Sequence, residues 1–352
     1  MSHFVVAAGG TGGHMVPASV VAHELIGRGH RVTLMTDARG LRFPGLFDGV
    51  PSRIVDSAVL SLKRPLSGLA AIWRGRKAAI AFLRAEGVTG VIGFGGYPSL
   101  PPLLAARALG KPTILHEQNA VFGRTNRLLA RGATLIATSF QNTRRLSRTH
   151  ELTGLPVRDA VRAIAGTPYP PTDGAIELLI VGGSQGATIL SRVVPAAVAL
   201  LPGEVRTRLH VVQQARTEDV EIVRTSYAEA GVAAHVDSYF ADLPARLAAA
   251  HLVISRSGAS TMAELAVAGR PAILVPFAAA MDDHQTANAE EFARAGGGPV
   301  LSEAAFTPPA LAEAIISLLT VPGALQNAAA AAKSVGRPDA GARLATLAIG
   351  LT

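Results

Sequence analysis

Two glycine-rich turns, each set between an apolar strand-length run and a helical stretch, constrain the fold of this chain more than any other feature. The first, Gly9-Gly10-Thr11-Gly12-Gly13-His14, follows Phe4–Ala8, and the second, Gly182-Gly183-Ser184-Gln185-Gly186, follows Leu178–Val181. Glycine removes the Cβ and admits positive φ, so backbone N–H groups and a helix N-terminus can approach a phosphate closely. Two such turns about half a chain apart predict two nucleotide-fold domains. Only the first turn ends in a histidine.

Apolar runs alternate with helical stretches along both halves. The first half offers Phe4–Ala8, Arg31–Thr36, Gly90–Phe94, Pro112–Leu115 and Thr134–Thr138 as strands. Between them lie helices such as Ala18–Arg28, Leu69–Arg84, Leu100–Leu109 and Thr125–Arg131. Residues 162–175, with Gly166, Pro168, Pro170, Pro171 and Gly174, read as an irregular connection. The alternation restarts with Glu177–Val181, Leu209–Val212, Ala233–Val236, Leu252–Ser255 and Pro271–Val275. Short buried runs separated by helices predict parallel sheets covered on both faces. A last helical stretch, Asp339–Leu351, follows Gly336 and Pro338 and is placed to cross back to the first domain.

A chain of 352 residues, 49% of them apolar, is long enough for two such domains with real cores. Cysteine is absent, which excludes disulfides and thiolate metal sites and is compatible with a reducing cytoplasm. The N-terminus enters a strand without a leader pattern, and no run approaches the roughly 18 apolar residues of a membrane span, so a soluble or peripheral protein is expected. The net charge of +8 is uneven: 19 Lys and Arg stand against 7 Asp and Glu through Pro156, then 14 against 18. A basic first half implies an anionic partner on that side. The cations form no compact block interleaved with aromatics, which makes nucleic acid a weaker choice than acidic lipid or a phosphorylated substrate. The stretch 60–77 joins Leu62, Leu66, Leu69, Ile72 and the sole tryptophan, Trp73, to Lys63, Arg64, Arg74, Arg76 and Lys77. Apolar anchors among cations suit an anionic membrane surface; a core helix with a solvated basic face reads equally well.

His14 follows four glycines, where a strand gives way to a helix begun by Pro17. That places an imidazole at the carboxyl edge of the sheet, where ligands of open α/β folds bind. Neutral imidazole can take a proton from an attacking hydroxyl; capping the turn is its plainer role. The turn lacks a dinucleotide fingerprint, because Asp37 ends the next strand without the rest of a ribose site, and no P-loop Gly-Lys-Ser/Thr follows. Dehydrogenases and NTPases are thereby disfavoured.

In the second half, Ser255-Arg-Ser-Gly-Ala-Ser-Thr-Met-Ala-Glu264 carries a strand into a helix. Ser or Thr would cap that helix, its N-terminus would hold a diphosphate, and Arg256 would add charge-assisted contacts. Glu264 would either accept hydrogen bonds from ribose hydroxyls or compensate the helix dipole. Gln285 and Asn288, three apart on the next helix, suit the hydroxyls of a sugar. Asp282, Asp283 and His284 are consecutive at a helix start and cannot all converge on one ion, so capping rather than metal binding is expected there.

Together these segments resemble a known family over essentially the whole chain. Gly9–His14, Gly93-Phe-Gly-Gly-Tyr-Pro-Ser99, His116-Glu-Gln-Asn119, Gly154-Leu-Pro-Val-Arg158, Gly182-Gly-Ser-Gln-Gly-Ala187, Arg256–Glu264 and His284-Gln285…Asn288 occur in its order. It is the UDP-N-acetylglucosamine–lipid I N-acetylglucosaminyltransferase family of bacterial peptidoglycan synthesis, within glycosyltransferase family 28. The resemblance implies an α/β GT-B fold, two Rossmann-like doubly wound parallel-sheet domains with a cleft between them. Residues 1–157, with a C-terminal helix 338–352 packing back, would be the acceptor and membrane side, and 158–337 the UDP-GlcNAc domain. The implied reaction is inverting transfer of GlcNAc from UDP-GlcNAc to the C4 hydroxyl of MurNAc in undecaprenyl-diphospho-MurNAc-pentapeptide (lipid I), giving lipid II and UDP.

By matching motifs, His14 would be the general base. Thr11, Gly12 and Gly13 would bind the donor's reacting sugar and face the acceptor diphosphate, with Asn119 and Arg158 as further donor contacts. Ser184 would meet the nucleotide diphosphate, and Phe240 would offer a backbone contact beside uracil. Arg256 and Ala259, Ser260, Thr261, Met262, Ala263 and Glu264 would hold diphosphate and ribose, and Gln285 and Asn288 would read the GlcNAc. Leu66, Leu69, Trp73, Arg74, Arg76 and Lys77 would touch the membrane. The implied partners are UDP-GlcNAc, lipid I, an anionic membrane surface at the cytoplasmic face of the bacterial membrane and other cell-wall synthesis proteins, with no resident cofactor. Two departures stand out: Leu155 where many relatives have Asn, and His284 where some have Gln. The alternatives are another GT-B transferase with a lipid or natural-product acceptor, a UDP-GlcNAc 2-epimerase, and a non-catalytic UDP-sugar-binding scaffold.

Overall fold

The computed structural model describes the chain apart from Pro44, residues 59–64, Ser184 and Gln185, and the side chains of Pro65 and Leu66. The chain divides into two units, Met1–Asp159 with Arg337–Thr352, and Ala160–Gly336. The first runs β1 (His3–Ala7), α1 (Gly12–Gly27), β2 (Arg31–Thr36), β3 (Ser52–Ile54), α2 (Pro65–Ala85), β4 (Gly90–Gly93) and α3 (Leu100–Ala108). It continues with β5 (Thr113–Glu117), α4 (Arg124–Leu129), β6 (Leu135–Thr138) and β7 (Glu151–Leu152). Its sheet has the order β3-β2-β1-β4-β5-β6-β7, with every pair parallel.

Strand periodicity explains why so much of this sheet is apolar. Along β1, Phe4 and Val6 point to one face and pack with Met15, Val21 and Leu25 of α1. Val5 and Ala7 point to the other, where Ile72 and Leu83 of α2 and Leu103 of α3 meet them. A strand covered on both sides has no face to leave polar.

The second unit begins within α5 (Asp159–Arg162) and runs β8 (Ile176–Val181), α6 (Thr188–Ala199), α7 (Gly203–Arg206), β9 (Leu209–Gln214), α8 (Val220–Glu229) and β10 (Ala233–Asp237). There follow α9 (Leu243–Ala249), β11 (Leu252–Ser255), α10 (Ala259–Ala268), β12 (Ala272–Leu274), α11 (His284–Ala295), α12 (Pro308–Thr320) and α13 (Ala324–Ser334). Its sheet is parallel, in the order β10-β9-β8-β11-β12. The last helix, α14 (Ala340–Gly350), belongs to the first unit, where Leu344, Ala345 and Ala348 join the core beside α1.

Both sheets reverse their strand order at one place, between β1 and β4 and between β8 and β11. Loops diverge at such a switch point and leave a crevice beyond the carboxyl ends of the strands. The first glycine turn leaves β1 at one switch point; the second leaves β8 at the other.

Helix α1 starts at Gly12, earlier than the Pro17 expected from sequence. Thr11 is extended (φ −139°, ψ 159°), and its carbonyl accepts from the backbone N–H groups of His14 and Met15, both at 3.1 Å. Pro17 therefore lies inside the helix, where the missing N–H costs one rung of the ladder. The consequence is that His14 is a helical residue of the first turn. Gly9 allows a close approach, since a Cβ there would lie 2.6 Å from Cγ of Pro98. The turn after β1 thus rests directly on the turn after β4.

Candidate active site

At the first switch point the side chains come from the ends of three adjacent strands. His14 follows β1, and its Nδ1 lies 3.2 Å from Oγ1 of Thr11. Thr11 makes no side-chain cap to α1, so its hydroxyl is available to orient the imidazole. The ring lies over Gly95 and Gly96 after β4, both at positive φ (79° and 71°). Beside it, β5 ends in His116-Glu117, and Gln118-Asn119 follow.

That tetrad is a buried hydrogen-bonded network. His116 is 0% exposed, its Nε2 lies 3.0 Å from the Gly154 carbonyl, and burial lowers its pKa to about 4. The ring is therefore neutral at ordinary pH. Glu117 is also buried, and burial raises its pKa, offset by donors to the carboxylate. These are the backbone N–H groups of Asn119 at 3.1 Å and Gly123 at 2.8 Å, and Nδ2 of Asn126 at 2.9 Å. A carboxylate with this many donors shapes the loop into α4 rather than serving as an acid. Asn119, half-buried, lies at the head of that loop.

In the second unit, β11 ends at Ser255 and α10 begins at Ala259, with Gly258 as its N-cap and no side-chain cap. The Ser or Thr cap expected from sequence is thus replaced by glycine, which leaves the first N–H groups of the helix pointing outward from the switch point. Ala259, Ser260, Thr261, Ala263 and Glu264 are half-buried along this start. Met262 is 2% exposed and faces the core, because it sits on the opposite side of the turn.

Arg256 has fixed partners of its own. Its Nη1 donates to the carbonyls of Val275 and Pro276 at 3.1 and 3.2 Å. It also pairs with Glu303 at 2.6 Å and lies over the Phe277 ring. A guanidinium so engaged fastens the strand ends together at the start of α10. Asn288 is likewise fully buried and donates to the Ser257 carbonyl at 3.0 Å. Gln285 is half-buried, and its Oε1 accepts from the N–H of Phe277 at 3.0 Å. Of the expected sugar-reading pair, Gln285 is the one open to solvent here. The Phe240 ring is buried between Arg246 (4.4 Å) and His235 (5.3 Å), leaving its backbone as the part able to meet a ligand. Arg158 is exposed. Ser184 lies outside the described residues.

Helix α2 carries two faces. Ile72, Ala79 and Leu83 are buried, while Leu69 and Trp73 are 54% and 61% exposed. Lys77 lies over the Trp73 ring at 5.7 Å, and Arg74 pairs with Asp56 at 3.1 Å. The helix thus packs a core and presents an apolar patch among cations at once; the side chain of Leu66 lies outside the described residues. No single described helix is long and apolar enough to cross a membrane.

Sequence reasoning noted Glu117, Gln118 and Asn126 only as motif or helix residues and gave them no role. The available signal was four polar residues placed directly after the apolar Thr113-Ile114-Leu115, where a strand end meets the switch region.

The description "Glycosyltransferase family 28 N-terminal domain" matches residues 4–138, and "Glycosyltransferase family 28 C-terminal domain" matches 177–344. Fold and site together define a two-domain glycosyltransferase of the GT-B type. A UDP-N-acetylglucosamine–N-acetylmuramyl-(pentapeptide) pyrophosphoryl-undecaprenol N-acetylglucosamine transferase of Zymomonas mobilis is 51% identical, covering 98% of this chain and 91% of the relative. The Sphingopyxis alaskensis protein of the same name is 50% identical, over 98% and 90%. The crystal structure of Acinetobacter baumannii MurG superposes with a TM-score of 0.84 at 31% identity, over 99% of this chain and 100% of that one. The chain belongs to this family of N-acetylglucosamine transferases.

Proposed function

We propose that the protein transfers GlcNAc from UDP-GlcNAc, with inversion, to the C4 hydroxyl of MurNAc in undecaprenyl-diphospho-MurNAc-pentapeptide, releasing UDP and forming lipid II. The observation that carries this reading is half-identity along both units to transferases of that name, with His14 placed at a switch point. In the reaction, O4 of the acceptor attacks the anomeric carbon while the bond from that carbon to the UDP oxygen breaks. The hydroxyl proton passes to Nε2 of His14, whose Nδ1 is held toward Thr11. The electron pair of the broken bond leaves with UDP, and the N–H groups opening α10 offset the charge that develops there.

The first unit takes the acceptor and the second the donor. Glu264 binds the ribose hydroxyls, the Phe240 backbone meets uracil, Ser184 meets the diphosphate, and Gln285 reads the GlcNAc. Asn288, Arg256 and Met262 keep that surface in shape from behind. Thr11, Gly12, Gly13, Asn119 and Arg158 complete the contacts to the reacting sugar. Leu69, Trp73, Arg74, Arg76 and Lys77 rest on the anionic cytoplasmic face of the membrane, so the lipid-linked acceptor is met where it lies.

The test is UDP release by the purified protein with a lipid I analogue, compared with a diacylglycerol acceptor and with no acceptor. Acceptor-dependent UDP release with the lipid I analogue supports the reading. Conversion of UDP-GlcNAc without any acceptor, or preference for diacylglycerol, overturns it.

A further inference from the structure

Gln118 stands where β5 ends, beside the His14 ring, and is 3% exposed. The tautomer of His116 settles which way its amide faces. The Gly154 carbonyl can only accept, so His116 Nε2, at 3.0 Å, carries the proton. Nδ1 then holds the lone pair and accepts from Nε2 of Gln118 at 3.2 Å. The second amide hydrogen goes to the carbonyl of His116 itself, at 3.1 Å. Both hydrogens are engaged, and the remaining side-chain atom, Oε1, is an acceptor and nothing else. Burial, which lowers the His116 pKa to about 4, preserves this arrangement through the neutral range.

Oε1 is aimed at Gly95. A Cβ built on Gly95 would lie 3.7 Å from Oε1 and 3.5 Å from Nε2 of His14. Glycine at φ +79° keeps that point empty. Among the described residues no donor meets Oε1, and the atom lies at the accessible edge of an otherwise buried side chain. A small space is thus bounded by the edge of the candidate base and by a fixed, unpaired acceptor.

We propose that Gln118 is an acceptor-binding residue whose fixed Oε1 takes the hydrogen bond of the sugar hydroxyl next to the reacting one, the C6 hydroxyl. The inference rests on the transferase reading above. The choice of C6 follows from the chemistry of an N-acetylmuramyl sugar: C3 carries an ether and C1 the diphosphate, so C6 holds the nearest donor to O4. Gripping C6 fixes rotation of the ring and presents the C4 hydroxyl to His14.

The experiment compares wild type, Gln118→Met and Gln118→Glu on the parent acceptor and on its 6-deoxy analogue, with the donor KM measured throughout. Wild type loses about tenfold in kcat/KM on the 6-deoxy acceptor, the scale of one lost hydrogen bond. Gln118→Met loses about tenfold on the parent and nothing further on the analogue. Gln118→Glu keeps an acceptor oxygen but loses both amide donors to His116, so it loses activity on both acceptors while its remaining turnover still prefers the parent, and the donor KM stays put in all three. A purely structural role would lower turnover on both acceptors in Gln118→Met while leaving the wild-type preference for the parent intact. The proposal is overturned if wild type treats both acceptors alike, if Gln118→Met retains the preference, or if the donor KM rises as much as the acceptor KM. Should Gln118→Met not fold, wild type and Gln118→Glu still decide the matter. Failure of the transferase reading is separate and shows first, as absence of UDP release by wild type on the parent acceptor.

Discussion

The two units repeat one plan and use it differently. In the first, side chains occupy the switch point: His14 from the turn after β1, and Gln118 and Asn119 after β5, with a buried His116–Glu117 network holding them. In the second, backbone occupies it: α10 opens on a glycine N-cap, while Arg256 and Asn288 tie strand ends together from beneath. Chemistry at a hydroxyl needs a group whose proton can move. Holding a diphosphate needs N–H groups whose positions do not change. The same fold supplies both because the strand ends set where a ligand sits, and the loops set what it meets.

Changing His14 to Ala tests this division most severely. Turnover should fall roughly 10²–10⁴-fold, the usual contribution of a general base, with the donor KM nearly unchanged. A comparable rise in donor KM would erase the distinction between the units. Glu264→Ala is the mirror experiment: donor binding, read by calorimetry with UDP-GlcNAc, should weaken by roughly 1–3 kcal/mol, as for a lost hydrogen bond to a charged group. The acceptor KM should not move.

The buried network of the first unit has a pH signature of similar size. His116 has a folded pKa of about 4 against the ordinary histidine value of 6.5, so the unfolded chain takes up its proton first on acidification. Stability should therefore begin to fall just below pH 6.5 and lose on the order of 3 kcal/mol by about pH 4. His116→Asn should flatten that acid limb of the thermal-unfolding curve; an unchanged limb would mean the ring is not held neutral. Glu117 acts with opposite sign, since its raised pKa lets the folded state bind a proton more readily as the pH drops.

The smallest effect on stability belongs to α2. Replacing Leu69 and Trp73 by Ser should change stability by less than about 0.5 kcal/mol each, because both are exposed. Sedimentation with anionic liposomes should nevertheless drop. If the double variant unfolds instead, the apolar patch is part of the core and not a membrane contact.

Much of the fold was legible. Phe4–Ala7 of β1 and Leu252–Ile254 of β11 read as uninterrupted apolar runs, and Arg31–Thr36 and Leu252–Ser255 are strands over the expected residues. β3 and β7 were not legible, being three and two residues long and lying where apolar patterning is weak. The start of α1 was hidden because Gly12-Gly13 reads as turn chemistry, whereas an extended Thr11 ahead of them is enough to begin the helix. Site residues were legible by position and less so by role. Nothing in the spacing of Arg256 announces Glu303, 47 places on, and nothing in Asn288 announces the carbonyl of Ser257. Such pairing across the fold is set by tertiary structure and leaves no mark in local spacing.

The return of α14 to the first unit orders events in time. Residues 160–336 lie between the two parts of the first unit, so during synthesis the second unit is complete before the first can be. Until residues 337–352 emerge, Met15, Val21 and Leu25 lack Leu344, Ala345 and Ala348 as core neighbours. The half that holds the candidate base is the half that finishes last, and a released chain truncated after Gly336 should bind UDP-GlcNAc while lacking turnover.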